Sequence, residues 1–239
     1  MDTLRRMVRA YKSFQSYQQR SVADTTLDFG KRMLAHQVIT LKVKRHPDMI
    51  AMTVKDPRGT LQYVTDGSSV IRYLGISNTY TRNYVSPGLS SAVRYMNKRE
   101  PQVMSPLVFL AGGDLPQGVQ NAHIVGAETL NGNLTTVIEG TFSDDYMKAL
   151  GKSVARIGLT PTAKTFKLWI DQRTLLLRKS ILLLGWRGPS VTSGARVIHA
   201  GASINQQIVE TVEEVAVNPR LSPEEFKFVA PKGAEQIAL

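Results

Sequence analysis

The four histidines of this chain, His36, His46, His123 and His199, are the side chains that could ligate a transition metal or move protons near neutral pH. They are scattered, with no HExxH run and no i, i+4 pair to set two imidazoles on one helix face, and the chain has no cysteine to complete a zinc site. Two carboxylate pairs, Asp144-Asp145 and Glu213-Glu214, have the residue types for acid–base catalysis but not the spacing. Adjacent strand residues face opposite sides, and Asp144-Asp145 suits the first turn of a helix, where carboxylates meet the positive end of the dipole. Ser90-Ser91 lacks the glycines of a nucleophile elbow, and Gly112-Gly113-Asp114 lacks the Lys-Ser/Thr of a phosphate loop. With no catalytic constellation, no metal set and no cofactor motif, the chain reads as a binding protein and not an enzyme.

What remains is charge and apolar surface. Thirty Lys and Arg against 19 Asp and Glu give a net charge of +11, which favours anionic partners. Arg5, Arg6, Arg9, Lys12, Arg72, Arg82, Arg94, Lys98 and Arg99 lie in the first half, while Glu210, Glu213, Glu214, Glu224 and Glu225 crowd the end. The basic first segment, with Tyr11, Phe14 and Tyr17, could meet nucleic acid by charge and stacking, but no recognition motif accompanies it, so no nucleic acid is expected. An anionic membrane surface or a solvated helix face accounts for the same residues.

A chain of 239 residues, 42% hydrophobic and 21% charged, suits one folded domain spanning 1–239, with no visible linker. Its longest apolar stretch, Leu175 to Trp186, is broken by Arg178, Lys179 and Ser180, short of the roughly 20 residues of a membrane span. The lack of cysteine excludes disulfides and leaves the compartment open. Met1 to Arg6 carries no apolar signal region, which leaves two expectations: a cytoplasmic protein, or a mature periplasmic form whose signal was removed.

Residues 3–20 have apolar groups at helical spacing, Leu4, Met7, Val8, Tyr11 and Phe14, and predict an amphipathic N-terminal helix. Period-two alternation begins after Lys31, and strands are expected at Met49 to Val54, Thr60 to Thr65, Ser69 to Leu74 and Thr79 to Val85, punctuated by Asp56-Pro57-Arg58-Gly59 and Asp66-Gly67. Two short helices are expected within 88–112, one after Pro87 and one after Ser105-Pro106. Strands resume at Ala122 to Thr129 and Leu134 to Thr141 around Asn131-Gly132, a helical piece follows at Asp144 to Ile157, and a hairpin joins Phe166 to Asp171 with Leu175 to Leu184. Residues 185–201 read as a long loop or mobile hairpin, Ile204 to Val217 as a strand, and Phe226 to Val229 as a short last strand. The expected class is mainly β with some helix (α+β): a strongly curved antiparallel sheet forming an unclosed barrel, with the short helices as a lid over its concave face and a ligand cavity beneath.

Several pieces in this order resemble the LolA-type lipoprotein carriers of the bacterial periplasm, and a neighbouring group of predicted periplasmic proteins. They are Leu41 to Pro47, Tyr63-Val64-Thr65-Asp66-Gly67, Ser105-Pro106-Leu107-Val108-Phe109-Leu110, Leu159-Thr160-Pro161, Leu168-Trp169-Ile170-Asp171 and Phe226 to Gly233, spanning about residues 35–235. The resemblance implies non-enzymatic binding and transport of lipids or lipid-modified proteins, as in outer-membrane lipoprotein sorting, with acyl chains in an apolar cavity. It implies a mature periplasmic protein with its signal peptide removed, and leaves open a lipoprotein anchored in the outer membrane. The alternative is an RseB-like regulatory module that holds an envelope protein. In the carriers a basic residue just before the strand-ending proline helps hold the lid closed, and Arg45 matches it, with His46 as an extra residue before Pro47. The expected ligand-binding set is Arg45 with Leu41 and Val43 on its strand face, Leu89, Val93, Tyr95, Met96, Leu107, Phe109 and Leu110 on the lid, and Trp169; plain core packing is the alternative for each apolar member.

Overall fold

Period-two burial organises most of the chain, as the alternation in its strands requires. The computed structural model describes every residue except 29, 101–103, 113–117, 155–159, 188–190, 194–195, 200–202 and 239. In chain order the elements are α1 (Asp2–Ser13), β1 (Ser16–Asp28), β2 (Arg32–Lys44), β3 (Met49–Asp56), β4 (Gly59–Thr65), β5 (Ser69–Leu74), β6 (Thr79–Tyr84), α2 (Leu89–Asn97), α3 (Pro106–Leu110), β7 (Val119–Leu130), β8 (Asn133–Phe142), α4 (Asp144–Val154), β9 (Thr160–Asp171), β10 (Leu177–Arg187), β11 (Val191–Ser193), β12 (Arg196–His199), β13 (Ser203–Val217) and β14 (Glu235–Gln236), with a 3-10 turn at Pro223–Phe226 before the last strand. Twelve strands form one sheet in the order β14-β6-β5-β4-β3-β2-β1-β13-β10-β9-β8-β7. Its ends are β14 and β7, so the sheet is mainly antiparallel and unclosed, as expected. β14 joins β6 in parallel.

The contacts divide the chain into two compact units. The first comprises Met1–Met7, Asp24–Ala35 and Leu115–Thr211; the second comprises Val8–Ala23, His36–Asp114 and Val212–Leu239.

In the first unit, Phe166, Leu168, Ile170, Leu182 and Leu184 are buried, and Phe142 and Phe166 pack with ring centroids 5.1 Å apart. Gly140 lies opposite Phe166 in the ladder, and a Cβ there would meet the Phe166 ring at 2.4 Å. α4 packs on β9, burying Met147, while Lys164 holds Asp144 at 2.6 Å and Trp186 Nε1 donates to the Met147 carbonyl at 3.3 Å. β7 is the sheet's edge and is exposed along most of its length, Ile124 and Val125 included.

In the second unit, strand register sorts the side chains. Leu41, Met52, Tyr63 and Arg72 are successive ladder partners, and so are Val43, Ile50, Thr65 and Val70; paired residues share a face. On the opposite face lie Lys42, Ala51, Val64 and Ile71, and beside them Thr40, Thr53, Gln62 and Tyr73. The Asp66-Gly67 turn forms as expected: Asp66 Oδ1 accepts from the Ser68 and Ser69 amides at 2.9 and 2.8 Å. Gly67 has φ 94°, and a Cβ there would stand 2.8 Å from the Asp48 carbonyl oxygen.

Three sequence expectations are corrected. The N-terminal helix stops at Ser13, whose hydroxyl donates back to the Ala10 carbonyl at 2.8 Å, and Tyr17 belongs to β1. β1 itself was not expected: its buried side chains are Tyr17, Gln19, Ser21 and Ala23, a face too polar to alternate with its neighbours. Phe226 to Val229 is not a strand. Ser222 and Glu225 form a reciprocal capping box that sets a 3-10 turn, leaving β14 as the last strand. Within 185–201, Val191–Ser193 and Arg196–His199 pair as a short two-stranded ladder. The rest of that expected loop beyond Arg187, the end of the Asp144 to Ile157 helix, Leu159 and the Gly113-Asp114 pair lie outside the described residues.

Candidate functional site

α2 and α3 owe their helicity to local signals. Gly88 precedes α2, and the Asp48 carboxylate accepts from the Leu89 amide at 3.2 Å. The Ser105 hydroxyl accepts from the Leu107 amide at 3.3 Å, and Pro106 opens α3. Each helix is too short to be stable alone, so its apolar side must be covered. α2 packs on α3 and β5. Leu89, Val93, Met96, Leu107, Phe109 and Leu110 are all less than 5% exposed, as are Leu41 and Val43 on the sheet. Tyr95 is half-buried, with a hydroxyl that is enclosed and has no hydrogen-bond partner among the described residues.

Arg45 follows the last residue of β2, continuing the face of Leu41 and Val43. Its amide donates to the Gln15 carbonyl at 2.8 Å, and its Nε donates to the Phe14 carbonyl at 2.9 Å. Nη2 donates to the Leu110 carbonyl. One guanidinium thus satisfies a carbonyl just past the end of α1 and another at the end of α3, groups that helix termini leave without intrahelical partners. Tyr11 of α1 and Phe109 of α3 meet beside it, with ring centroids 5.8 Å apart. The inserted His46 sits at φ 55° before a cis Pro47 and is exposed.

A second clasp was missed by sequence reading. Glu100, just past α2, takes the Arg72 guanidinium at 2.5 Å from Nη2 and accepts a hydrogen bond from the Tyr63 hydroxyl. Arg72 Nε also donates to the Tyr63 oxygen at 3.0 Å, closing a triangle. Burial raises the Tyr63 phenol well above its ordinary range and the Glu100 carboxylate raises it further, so the hydroxyl keeps its proton. Burial works against the Arg72 charge, but Glu100 and Tyr63 together more than offset it. The three residues are separated by 9, 28 and 37 positions, and no local motif joins them.

The opposite face of this sheet is covered by the C-terminal segment. Lys42 pairs with Glu225 at 2.7 Å, Lys44 Nζ donates to the Leu221 carbonyl at 3.1 Å, and Phe228 packs 5.1 Å from Tyr80 and 6.0 Å from Tyr73. Phe226 to Gly233 therefore braces the back of the sheet that carries Leu41 and Arg45.

Trp169 belongs to the first unit, with Phe166, Leu168 and Ile170 of the same strand. In its strand it faces away from Leu168 and Ile170. Lys179 and Lys167 Nζ stand 4.9 and 5.3 Å from its ring, and its Nε1 donates to Glu128 at 2.7 Å. Among the described residues no cluster of three or more metal-ligating side chains occurs.

An unclosed, mainly antiparallel sheet carrying short clasped helices is the class of protein that the sequence resemblance implied. Residues 1–183 match the family described as "Predicted periplasmic protein (DUF2092)", and the chain belongs to that family. Among solved structures it is similar to the Mycobacterium tuberculosis lipoprotein LppX, with 16% identity over 92% of this chain and 96% of that one and a TM-score of 0.51. An uncharacterised conserved protein of Thermus thermophilus is similar over 99% of this chain and 94% of its own, with 10% identity and a TM-score of 0.50. A LolA-superfamily protein of Nitrosomonas europaea aligns over 94% and 97% of the two chains, with 9% identity and a TM-score of 0.36. At these identities the likeness to LppX and to the Thermus protein is one of fold alone. Against the curated proteins the chain has no match.

Proposed function

We propose that this protein is a non-enzymatic carrier or binder of lipids or lipid-modified proteins in the bacterial cell envelope. Acyl chains are taken up between α2, α3 and the sheet face of Leu41, Val43, Ile50 and Met52. The observation that carries this reading is the Arg45 clasp, which joins the carbonyls of Phe14 and Leu110 on the sheet face where Leu41, Val43, Ile50 and Met52 are buried. A bridge made of one side chain and two carbonyls can be exchanged for water, whereas the packed side chains beneath it can be exchanged only for another apolar group. Uptake displaces the helices and replaces their contacts with methylenes, each contributing about 0.8 kcal/mol. The family's description as predicted periplasmic proteins supports the compartment, and the fold likeness to LppX supports the envelope setting.

The experiment is binding of a fluorescent fatty acid to delipidated protein, with displacement by phospholipid or lipopeptide. Saturable, displaceable uptake is the expected result. Absence of uptake by protein whose circular dichroism and thermal transition are intact would overturn the reading.

A further inference from the structure

α1 has two faces with different fates. Leu4, Met7 and Tyr11 are fully buried and Val8 is 5% exposed, so the apolar stripe is wholly used inside the fold. On the other side, Arg5, Arg6 and Arg9 are exposed, and none of them has an ion-pair partner among the described residues. Positions i, i+1 and i+4 of a helix fall within about 100° of one another, so the three guanidiniums share one surface. Asp2 is the acidic side chain on this helix. Within the Glu-rich stretch from Glu210 to Glu225, Glu213 pairs with Arg20 of β1 and Glu225 with Lys42 of β2, not with Arg5, Arg6 or Arg9.

We propose that this face of α1 docks the protein on an anionic phospholipid surface. Chemistry selects the partner: three fork-shaped donors with no ion-pair partner among the described residues match phosphate oxygens in a plane of headgroups. With its apolar stripe consumed, α1 does not insert into the acyl region while the protein stays folded. Docking is therefore peripheral, electrostatic and strongly weakened by salt. It is also local to the clasp, because α1 ends at Ser13 and the next residue, Phe14, gives its carbonyl to Arg45. A protein held on the membrane by α1 thus presents the helix end that Arg45 ties to α3.

The test is co-sedimentation with vesicles of phosphatidylglycerol and phosphatidylcholine, set against vesicles of phosphatidylcholine alone. The variants are R5E/R6E/R9E and a control of equal net charge, R173E/R187E/K232E, made at exposed positions remote in sequence. The wild type and the control bind anionic vesicles at low salt, and partitioning falls by on the order of 100-fold in the α1 variant. R5Q/R6Q/R9Q falls in the same direction by less. Fluorescent fatty-acid uptake is unchanged in every variant, so a failure of docking and a failure of the carrier reading are told apart. Equal loss in the two charge-reversed variants, equal binding to neutral vesicles, or no binding by the wild type would overturn the proposal. So would loss of DNA binding in the α1 variant with vesicle binding retained.

Discussion

Arg72 and Glu100 form an ion pair at 2.5 Å between the fifth strand and the residues just past α2, and the Tyr63 hydroxyl bridges them. Their side chains are 18% and 27% exposed, so the pair is neither a solvated surface bridge nor a fully buried one. With Asp48 at the start of α2 and Arg45 at the end of α3, it fixes the helical pair to the sheet at three separate points.

The coupling is measurable. A double-mutant cycle with Glu100→Gln and Arg72→Gln, followed by urea unfolding, should give an interaction energy of about 1–2 kcal/mol. A value near zero would make the contact incidental. Tyr63→Phe should cost about 1–2 kcal/mol, because it leaves the Arg72–Glu100 pair without its third member.

Arg45→Met leaves the Phe14 and Leu110 carbonyls without their donor while keeping much of the apolar stem. Stability should fall by about 1–3 kcal/mol. Hydrogen exchange should accelerate at α3 and its flanks while the sheet amides of the first unit stay protected. Uptake of a fluorescent fatty acid should become faster. Unchanged exchange at α3 would remove Arg45 from the clasp.

Tyr95→Phe makes the reverse prediction. It deletes an enclosed hydroxyl that has no described partner, so the ligand-free protein should gain up to about 1 kcal/mol. Loss of stability would show that the hydroxyl is satisfied in solution. If affinity for a fatty acid falls while stability rises, the hydroxyl contacts the ligand's polar head.

Asp171 makes stability pH-dependent. The residue is 2% exposed, and burial alone would raise its pKa. Hydrogen bonds from the Thr174 and Arg173 amides and from Arg178, the last at 2.8 Å, prevail and hold it below the ordinary 3.8. A carboxyl whose folded pKa is depressed stabilises the fold above its unfolded pKa and loses that contribution as pH falls through the folded value. Asp171→Asn should therefore be destabilised relative to wild type at pH 7, with the gap narrowing below about pH 4. A gap constant across this range would contradict the assignment.

Gly140→Ala should destabilise by about 1–3 kcal/mol, since the new methyl meets the Phe166 ring at 2.4 Å. Gly126→Ala, on the neighbouring edge strand with open space at its Cβ, serves as the control and should be near neutral.

The hairpins were legible because their determinants are local. Asp66-Gly67 and Asn131-Gly132 name their own turns, and Leu41, Val43 and Arg45 declare a common face by alternation. β1 was illegible because burial there falls on the polar residues Gln19 and Ser21, and Gln19 is satisfied by the Tyr17 hydroxyl, which donates to its Oε1 at 2.6 Å within the same strand. Phe226 and Phe228 have the composition of a strand, but the capping box around Ser222 and Glu225 decided the backbone first. Of the site, Arg45 could be read from its strand register, whereas Glu100 is recognisable only once Arg72 and Tyr63 have been brought beside it. The two lysines beside Trp169, Lys167 two residues before it on the same strand and Lys179 on the next, follow from strand parity and register and not from composition.

β13 sits between β1 and β10 in the sheet order, and the Asn218 side chain just after it reaches back 202 residues to the Ser16 amide. Until residue 217 has been made, β1 and β10 each lack a neighbour, and two meanders coexist as separate half-sheets with open edges. Closing so long a loop is entropically costly before its contacts repay it. The chain must therefore be delivered almost whole before the sheet can seal. A polypeptide threaded across a membrane from its N-terminus would stay incompletely folded until its last segment has emerged. Truncation before Ser203 should yield an aggregation-prone product and not a smaller folded one.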